Sequence, residues 1–253
     1  MAKVQAPEIA FDASTLNSPQ AWIAAGELVF NWPTSLNPVF FTAEDILNPS
    51  FIKSIGMPFR RDGIILFVRW IIRRKGVVEL GSMGCATCHT RVLSDGTVVP
   101  GAQGNNSNDR RGSVLLKGAA ASIGPEAALL RARAFALQFE VPWSSDDINR
   151  STRTMSLEQF ILAGSSIPPG VNARANTSLI LPPQIPDLIG VKERRFLDHT
   201  GIVRHRTIGD LMRYTTLAQD SFITENRQGI DGAPVFPTHR FSDSQLYALA
   251  LYI

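Results

Sequence analysis

A chain of 253 residues, 44% of them hydrophobic and 19% charged, has the composition of an ordinary globular protein that can bury a substantial core. Its net charge is only +3, and its basic residues are not interleaved with aromatic ones, so we expect no nucleic-acid binding. The longest apolar run, at residues 64–72, contains Arg69. It is far shorter than a membrane span of about 20 residues, which predicts that the chain has no transmembrane segment.

The first third of the chain contains one clear helix start. Ser18 and Pro19 are typical of an N-cap and of the first helical position, and they predict a helix through Phe30. Turn-forming residues dominate the stretch 31–62. Residues 64–74 are compatible with either a buried strand or a helix, whereas residues 77–80 favour a short strand.

The middle of the chain predicts a hairpin and two irregular segments. Asp95-Gly96 lies between β-prone residues, which favours a tight turn and a hairpin over 91–99. The Asn-rich stretch 101–112 is predicted to be a surface loop. Residues 165–186 contain five prolines and predict a long irregular segment that wraps around another part of the molecule.

Four further helices are predicted after the hairpin. Residues 125–139 have the composition and periodicity of a helix. The other three begin with capping pairs, which are Ser156 with Gln159, Thr207 with Asp210, and Ser242 with Gln245. The fold class expected from these elements is mainly α, with long irregular loops and one small β-hairpin.

The most informative stretch is Cys85-Ala86-Thr87-Cys88-His89, which contains the only two cysteines of the chain. A c-type haem requires two thiols about one helical turn apart, which form thioethers with the two vinyl groups of the porphyrin. A histidine directly after the second cysteine then binds the iron. The motif therefore predicts one covalently attached haem c, held by Cys85 and Cys88, with His89 as the proximal iron ligand.

Three other interpretations of the motif are weaker. A structural zinc site would have to recruit His199, His205 and His239 from more than a hundred residues downstream. A thioredoxin-like redox pair would place the motif directly after the first strand of a βαβ unit, and an extended segment precedes it here. A disulfide between the two cysteines would close too short a loop to stabilise the fold much.

With the motif and the helices placed, the chain resembles the class I-type cytochromes c. Gly26-Glu27-Leu28-Val29-Phe30 is similar to the Gly-x-x-x-Phe of the family's N-terminal helix, and residues 246–252 are similar to the C-terminal helix that crosses it. The resemblance implies a cytochrome c-like helical haem domain with Gly26 at the crossing, close to the haem-bearing segment. It treats 1–253 as a single domain with insertions at about 31–84 and 90–200.

A second resemblance concerns the other axial position of the iron. Residues 185–191, the turn Asp198-His199-Thr200-Gly201 and the helix that begins near Thr207 are similar to a region of di-haem cytochrome c peroxidase-like proteins. There, such a turn precedes a helix that supplies a methionine ligand, which implies Met212 as the sixth ligand here. The chain has a single CxxCH, so a peroxidase that works with two haems is not implied.

Other residues remain alternative ligands. Met155 is the only other methionine after His89, and the histidines at 199 and 205 could also bind the iron. A methionine ligand raises the reduction potential and closes the site, whereas an open position would admit peroxide or small gases. His239, which lies before the last helix, is expected to have a structural role.

The function expected from these residues is electron transfer by a monohaem c-type cytochrome. The alternative is a haem peroxidase-like enzyme, or the cytochrome subunit of a larger oxidoreductase, in which His199 or Glu193 would be the distal acid–base group. The basic clusters Arg194-Arg195 and Arg204-His205-Arg206 would attract an acidic redox partner or neutralise the haem propionates. Since haem is attached to CxxCH outside the cytoplasm, we expect a periplasmic or extracellular protein whose signal peptide has been removed.

Overall fold

The computed structural model describes residues 11–33, 42–66, 68–82, 84–137, 150–172, 182–198, 201–220 and 241–253. The α-helices within them are α1 (Pro19–Asn31), α2 (Ala43–Ile46), α3 (Pro49–Ser54), α4 (Cys85–His89), α5 (Asn108–Ile123), α6 (Pro125–Leu137), α7 (Arg150–Thr154), α8 (Leu157–Ser166), α9 (Ile208–Asp220) and α10 (Asp243–Tyr252). The strands are β1 (Val68–Arg74), β2 (Val77–Ser82), β3 (Thr90–Val92) and β4 (Val98–Pro100). The predicted mainly helical class is confirmed. None of the described helices combines the length and the apolar character needed to cross a bilayer.

Side-chain caps begin the helices that the sequence predicted. The Ser18 hydroxyl accepts a hydrogen bond from the backbone N–H of Ala21 at 3.2 Å, and Pro19 occupies the first turn of α1. Satisfying an otherwise unpaired N–H in this way stabilises a helix by about 1 kcal/mol. The predicted capping boxes of α8 and α10 are both present, as Ser156 with Gln159 and Ser242 with Gln245.

The start of α9 is held by Asp210. Its carboxylate accepts hydrogen bonds from the backbone N–H of Arg206 at 3.0 Å and of Thr207 at 3.2 Å. The bond from the Arg206 N–H lowers the pKa of this carboxyl group below its ordinary value, with further contributions from the Arg206 side chain. The charge is thereby retained on a residue that is only 8% exposed. Asp210 thus anchors the N-terminal end of the helix that carries Met212.

The first and last helices cross at Gly26. A Cβ atom at this position would overlap the backbone carbonyl of Ala248 on α10 and would lie 2.7 Å from the Cβ of Tyr252. Only glycine permits this approach, so the predicted crossing is confirmed. The main core cluster forms around it and consists of Val29, Phe30, Ala86, Phe241, Leu246 and Leu249. Because Ala86 belongs to α4, the crossing packs directly against the CxxCH helix.

The described residues contain two antiparallel hairpins, where the sequence predicted one. β3 and β4 form the predicted hairpin, and Gly96 adopts a positive φ of 80° in its turn. β1 and β2 form the second, in which Trp70 pairs with Leu80 and the turn contains Gly76 at φ 80°. Residues 64–74 were compatible with strand or helix because their apolar pattern suits both. Their pairing with β2 decides in favour of β structure. Four residues of β2, 77–80, were predicted to be a strand.

The segment between α1 and α4 builds a separate core cluster, which consists of Ile52, Ile55, Met57, Ile65 and Leu80. After β4, α5 packs against α6 and α8.

The prediction of a surface loop over 101–112 is wrong from Asn106 onward, because α5 begins at Asn108 and both Asn106 and Arg111 are buried. The polar residues of this stretch form hydrogen bonds inside the protein, which sequence polarity alone does not reveal.

Candidate haem-binding site

The CxxCH motif forms the short helix α4. Gly84 precedes it, and the Gly84 N–H donates to the Thr87 hydroxyl at 3.0 Å. A Cβ at Gly84 would lie 2.6 Å from the backbone oxygen of Trp32 at the end of α1, so a glycine is required by this contact. The motif is therefore held against α1 by backbone contact as well as by the core.

The two faces of α4 have different surroundings. Ala86 and Thr87 are buried, and they line a cavity of about 10 Å³ that has room for hardly more than one water molecule. Cys85, Cys88 and His89 follow the i, i+3, i+4 spacing and therefore share the other face of the helix. All three are partly buried. The residues with ligand chemistry thus lie together on one face of α4, where Cys85 also packs against the main core cluster.

The two cysteines do not form a disulfide. Burial raises the pKa of the Cys85 thiol to about 12, and the neighbouring Cys88 contributes in the same direction. A catalytic or redox-active thiol needs the opposite shift, because the thiolate is the nucleophile. The electrostatic environment of Cys85 therefore disfavours a thioredoxin-like redox pair and a reactive nucleophile, and it is compatible with a thiol that becomes a neutral thioether.

The imidazole of His89 is oriented by a carbonyl group far away in sequence. Its Nδ1 lies 2.9 Å from the backbone oxygen of Pro186, 97 residues further along the chain. Since a carbonyl oxygen can only accept, this contact requires a proton on Nδ1. The lone pair of the neutral ring is then on Nε2, a nitrogen through which histidine can bind a metal. Pro186 belongs to the proline-rich segment that the sequence predicted to wrap around something.

The loop after β4 fixes the C-terminal end of α4. The Gly101 N–H donates to the His89 carbonyl at 2.7 Å, and the Gly104 N–H donates to the Cys88 carbonyl at 2.8 Å. A Cβ at Gly104 would overlap that same carbonyl group of Cys88. The last carbonyls of a helix lack partners within the helix, so these two amides satisfy them. The loop positions the second thiol and the imidazole together.

A polar group lies beside Cys88 that sequence reasoning missed. The Asn172 amide approaches the Cys88 sulfur at 4.0 Å, and Asn108 donates to Asn172 at 3.5 Å. Arg111 is 3% exposed, and burial lowers its pKa to about 10, while the charges of Asp109 and Cys88 oppose this shift. The only sequence signal was the concentration of asparagines at 105–108, which also suits an exposed loop.

The described candidates for the sixth ligand lie in different elements of the fold. Met212, on α9, packs against the same core cluster as Cys85, and so lies in the part of the fold that contains the motif. Met155 lies between α7 and α8, and its carbonyl accepts from Arg133 at 2.6 Å. His205 lies in the loop before α9, where its Nδ1 is 3.1 Å from the Arg194 carbonyl. The fourth candidate, His199, falls outside the described residues.

The group proposed for distal acid–base chemistry and the basic clusters are largely on the surface. Glu193 has a side chain that is 78% exposed, and it lies 3.9 Å from Lys192. Arg194 forms an ion pair with Asp187 at 2.8 Å, and Arg206 pairs with the buried Asp210 at 3.4 Å. These two arginines therefore contribute less field to an approaching partner than the sequence count suggests.

The donor set fits a covalently bound haem. Two thiols and an imidazole share one face of α4, and the thioether of Met212 packs against the same core cluster as Cys85. Three buried side-chain atoms in segments that contact the motif have no hydrogen-bond partner within the described part of the chain. They are Trp32 Nε1, Thr90 Oγ1 and Asn106 Oδ1. Such atoms cost about 1–3 kcal/mol each when unpaired, so their presence beside the motif suits a polar bound group.

Comparison with known proteins adds no name to this site. No family model matches the chain, and neither a curated protein nor a solved structure matches it. Among the described residues, no group of three or more His, Cys, Asp or Glu side chains is arranged to hold a metal ion. Two histidines of the zinc interpretation, His199 and His239, lie outside those residues. Function must therefore be inferred from the residues of the chain and their geometry.

Proposed function

We propose that this protein is a monohaem c-type cytochrome that transfers electrons outside the cytoplasm. The observation that carries the proposal is the combination on α4 of two thiols on one helix face with an imidazole whose Nδ1 is bound to the Pro186 carbonyl. A covalent haem needs all three groups on one side of a short helix. The proposal names Cys85 and Cys88 as the attachment residues and His89 as the proximal ligand.

The arrangement of the helices supports a cytochrome c-like domain. The main core cluster joins α1, α4 and α10, and Met212 of α9 packs against it. The segment 46–80 contributes to a cluster of its own, which contains Ile52, Ile55 and Leu80. In such a domain the motif on α4 and Met212 on α9 would hold the haem. The remaining elements would then be the insertions proposed at about 31–84 and 90–200.

Each residue of the site has a distinct part in this function. Haem supplies a one-electron couple when bound. The Pro186 carbonyl holds the His89 ring in the tautomer that presents Nε2. The apolar cluster around Phe30 and Leu249 covers the Ala86 side of α4, and a low-polarity surrounding with a Met212 thioether would favour a relatively high reduction potential. No proton has to move at these residues, which suits electron transfer rather than bond chemistry.

Localisation and partner follow from the same proposal. Haem is joined to CxxCH outside the cytoplasm, so the protein would be periplasmic or extracellular. An acidic redox partner would approach the exposed arginines at 195 and 204, which remain available beside the ion-paired ones.

The experiment is a redox titration of the full chain, produced in a host that attaches haem to CxxCH. We expect a sharp reduced c-type α-band, rapid reversible cycling with small reductants and oxidants, and no binding of carbon monoxide by the reduced protein. Absence of haem bands would refute the cytochrome. Carbon monoxide binding together with turnover of peroxide would replace electron transfer by the peroxidase-like alternative.

A further inference from the structure

The hairpin of β1 and β2 has exposed apolar side chains on the part that lies away from its base. Val68 and Leu80, at its base, pack against the second core cluster. Trp70 pairs with Leu80 and shares its face, yet it is 49% exposed. Ile72 and Val78, further from the core, are 69% and 58% exposed. One face of the hairpin thus begins in the core and continues into solvent.

The turn at the far end of the hairpin is exposed to solvent. A Cβ at Gly76, in the turn, would meet no atom within 4 Å, and Lys75 beside it is exposed. From Trp70 to Arg74, its last residue, the strand advances roughly 13 Å, at about 3.3 Å per residue. The outer part of the hairpin, from Trp70 to Val78, is here called the hairpin tip. It is long enough to reach the boundary between headgroups and acyl chains, which lies roughly 5–10 Å below a membrane surface.

The hairpin also accounts for the net charge of the protein. Residues 68–82 contain four cationic residues, Arg69, Arg73, Arg74 and Lys75, and a single acidic one, Glu79. Their formal charge of +3 equals that of the whole chain, so the remaining residues sum to zero. A cationic, apolar element on an otherwise neutral protein has the charge complementary to an anionic surface.

We propose that the hairpin tip binds the surface of an anionic phospholipid bilayer and holds the protein there. Tryptophan together with lysine and arginine is the composition that settles at the boundary between lipid and water. A protein partner is disfavoured, because the nine residues of the tip are fewer than the roughly 20–30 that each partner contributes to a stable complex. This proposal is independent of the haem, since none of these residues belongs to the site on α4.

The test measures flotation of the full chain with two kinds of vesicle. One contains phosphatidylglycerol and phosphatidylcholine in equal parts, and the other contains phosphatidylcholine alone. We expect binding to the first, weak binding to the second, and loss of binding at about 1 M salt, where the Debye length is about 3 Å. The fluorescence of the native chain should shift to the blue with anionic vesicles, and the Trp70→Phe variant should lose most of that shift.

Matched variants assign the binding to the hairpin tip. The double variant W70S/I72S should bind anionic vesicles at least about tenfold more weakly, because it removes the inserted apolar groups. Lys75→Glu should weaken binding about fivefold or more, the effect of one cation near an anionic surface. The controls are L162S/I202S, at positions 67% and 81% exposed, and Lys117→Glu on α5. Both should bind like the native chain.

Three outcomes would overturn the proposal. Equal binding by W70S/I72S and its control would place the membrane contact elsewhere, and failure of the native chain to float would exclude a lipid surface. The third outcome is that neither protein binds vesicles, while the native chain sediments as a dimer and W70S/I72S as a monomer. That result would mean that the hairpin tip binds a second copy of the chain. Unchanged circular dichroism and melting of the variants ensure that the comparison concerns folded protein.

Discussion

The Nδ1 atom of His89 lies 2.9 Å from the carbonyl oxygen of Pro186, so two residues 97 positions apart are joined at the centre of the candidate site. The contact links the CxxCH helix to the proline-rich segment. It also selects one tautomer of the imidazole, because a carbonyl cannot donate a hydrogen bond. Nε2, the nitrogen that would bind iron in the proposed site, is thereby left without a proton before any metal binds.

A first prediction concerns that tautomer in the haem-free chain. With neutral imidazole, nitrogen-15 NMR should show His89 protonated at Nδ1 and unprotonated at Nε2. In water without a partner, imidazole side chains favour the other tautomer, so the denatured chain is the internal control. Detection of the Nε2–H form in the native chain would mean that Pro186 does not orient the ring.

The crossing of α1 and α10 predicts a large cost for the smallest side chain at its centre. Gly26→Ala places a Cβ onto the Ala248 carbonyl, and we expect the unfolding free energy to fall by about 1–3 kcal/mol. The matched control is Gly118→Ala in α5, where a Cβ would meet no atom within 4 Å. It should leave the protein as stable or make it more stable by up to about 1 kcal/mol. Urea denaturation measures the unfolding free energy of both variants and of the native chain. Equal values for Gly26→Ala and the native chain would contradict the packing described for Gly26.

The buried thiol predicts slow chemistry at Cys85. In a haem-free Cys88→Ser variant, alkylation of native Cys85 near neutral pH should be roughly 10²–10³ times slower than in the same chain denatured, because the thiolate is scarce. The raised pKa also makes stability depend on pH. The folded state holds the proton more tightly than the unfolded one, whose ordinary thiol pKa is 9.0. This contribution is complete below pH 9.0 and is lost as the pH rises toward about 12. Equal alkylation rates in the two states would favour a redox-active thiol instead.

Met212 is predicted to be the sixth ligand of a low-spin iron. The oxidised protein should show the weak near-red charge-transfer band of a methionine–iron bond, and Met212→Ala should abolish it and admit cyanide or carbon monoxide. Met155→Ala is the matched control and should leave the band unchanged. Loss of the band in Met155→Ala alone would move the ligand there, and a spectrum unaffected by either change would favour a histidine such as His205 at lower potential.

Local patterns predicted much of the fold. Ser18, Ser156 and Ser242 were identified as caps because a hydroxyl before an apolar run has a local function, and Asp95-Gly96 identified its turn for the same reason. The crossing at Gly26 came from resemblance, and the close contact with Ala248 bears it out. In the hairpin at 68–82, the strand at 77–80 was predicted, but residues 64–74 were left open between strand and helix. The choice depends on the pairing partner, which the local sequence does not show.

The site was less accessible to sequence reasoning where contacts are long-range. The motif indicated the residues with ligand chemistry, but nothing local to Pro186 indicates that its carbonyl accepts from His89. Asn106 and Arg111 were assigned to a surface loop, because polarity predicts exposure when the hydrogen-bond partners are unknown. The ligation by Met212 stays a prediction, as does the haem itself.

The most direct measurement of the central claim is the intact mass of the chain after acid–acetone extraction, which removes haem that is not covalently bound. The protein should be made in a host that attaches haem to CxxCH. The account predicts an increase by the mass of one haem, located by peptide mapping at Cys85 and Cys88, with no thiol left to alkylate in the denatured protein. Cys85→Ala/Cys88→Ala should lack the added mass. An unmodified mass with two reactive thiols in the native sequence would contradict the proposal that this chain is a c-type cytochrome.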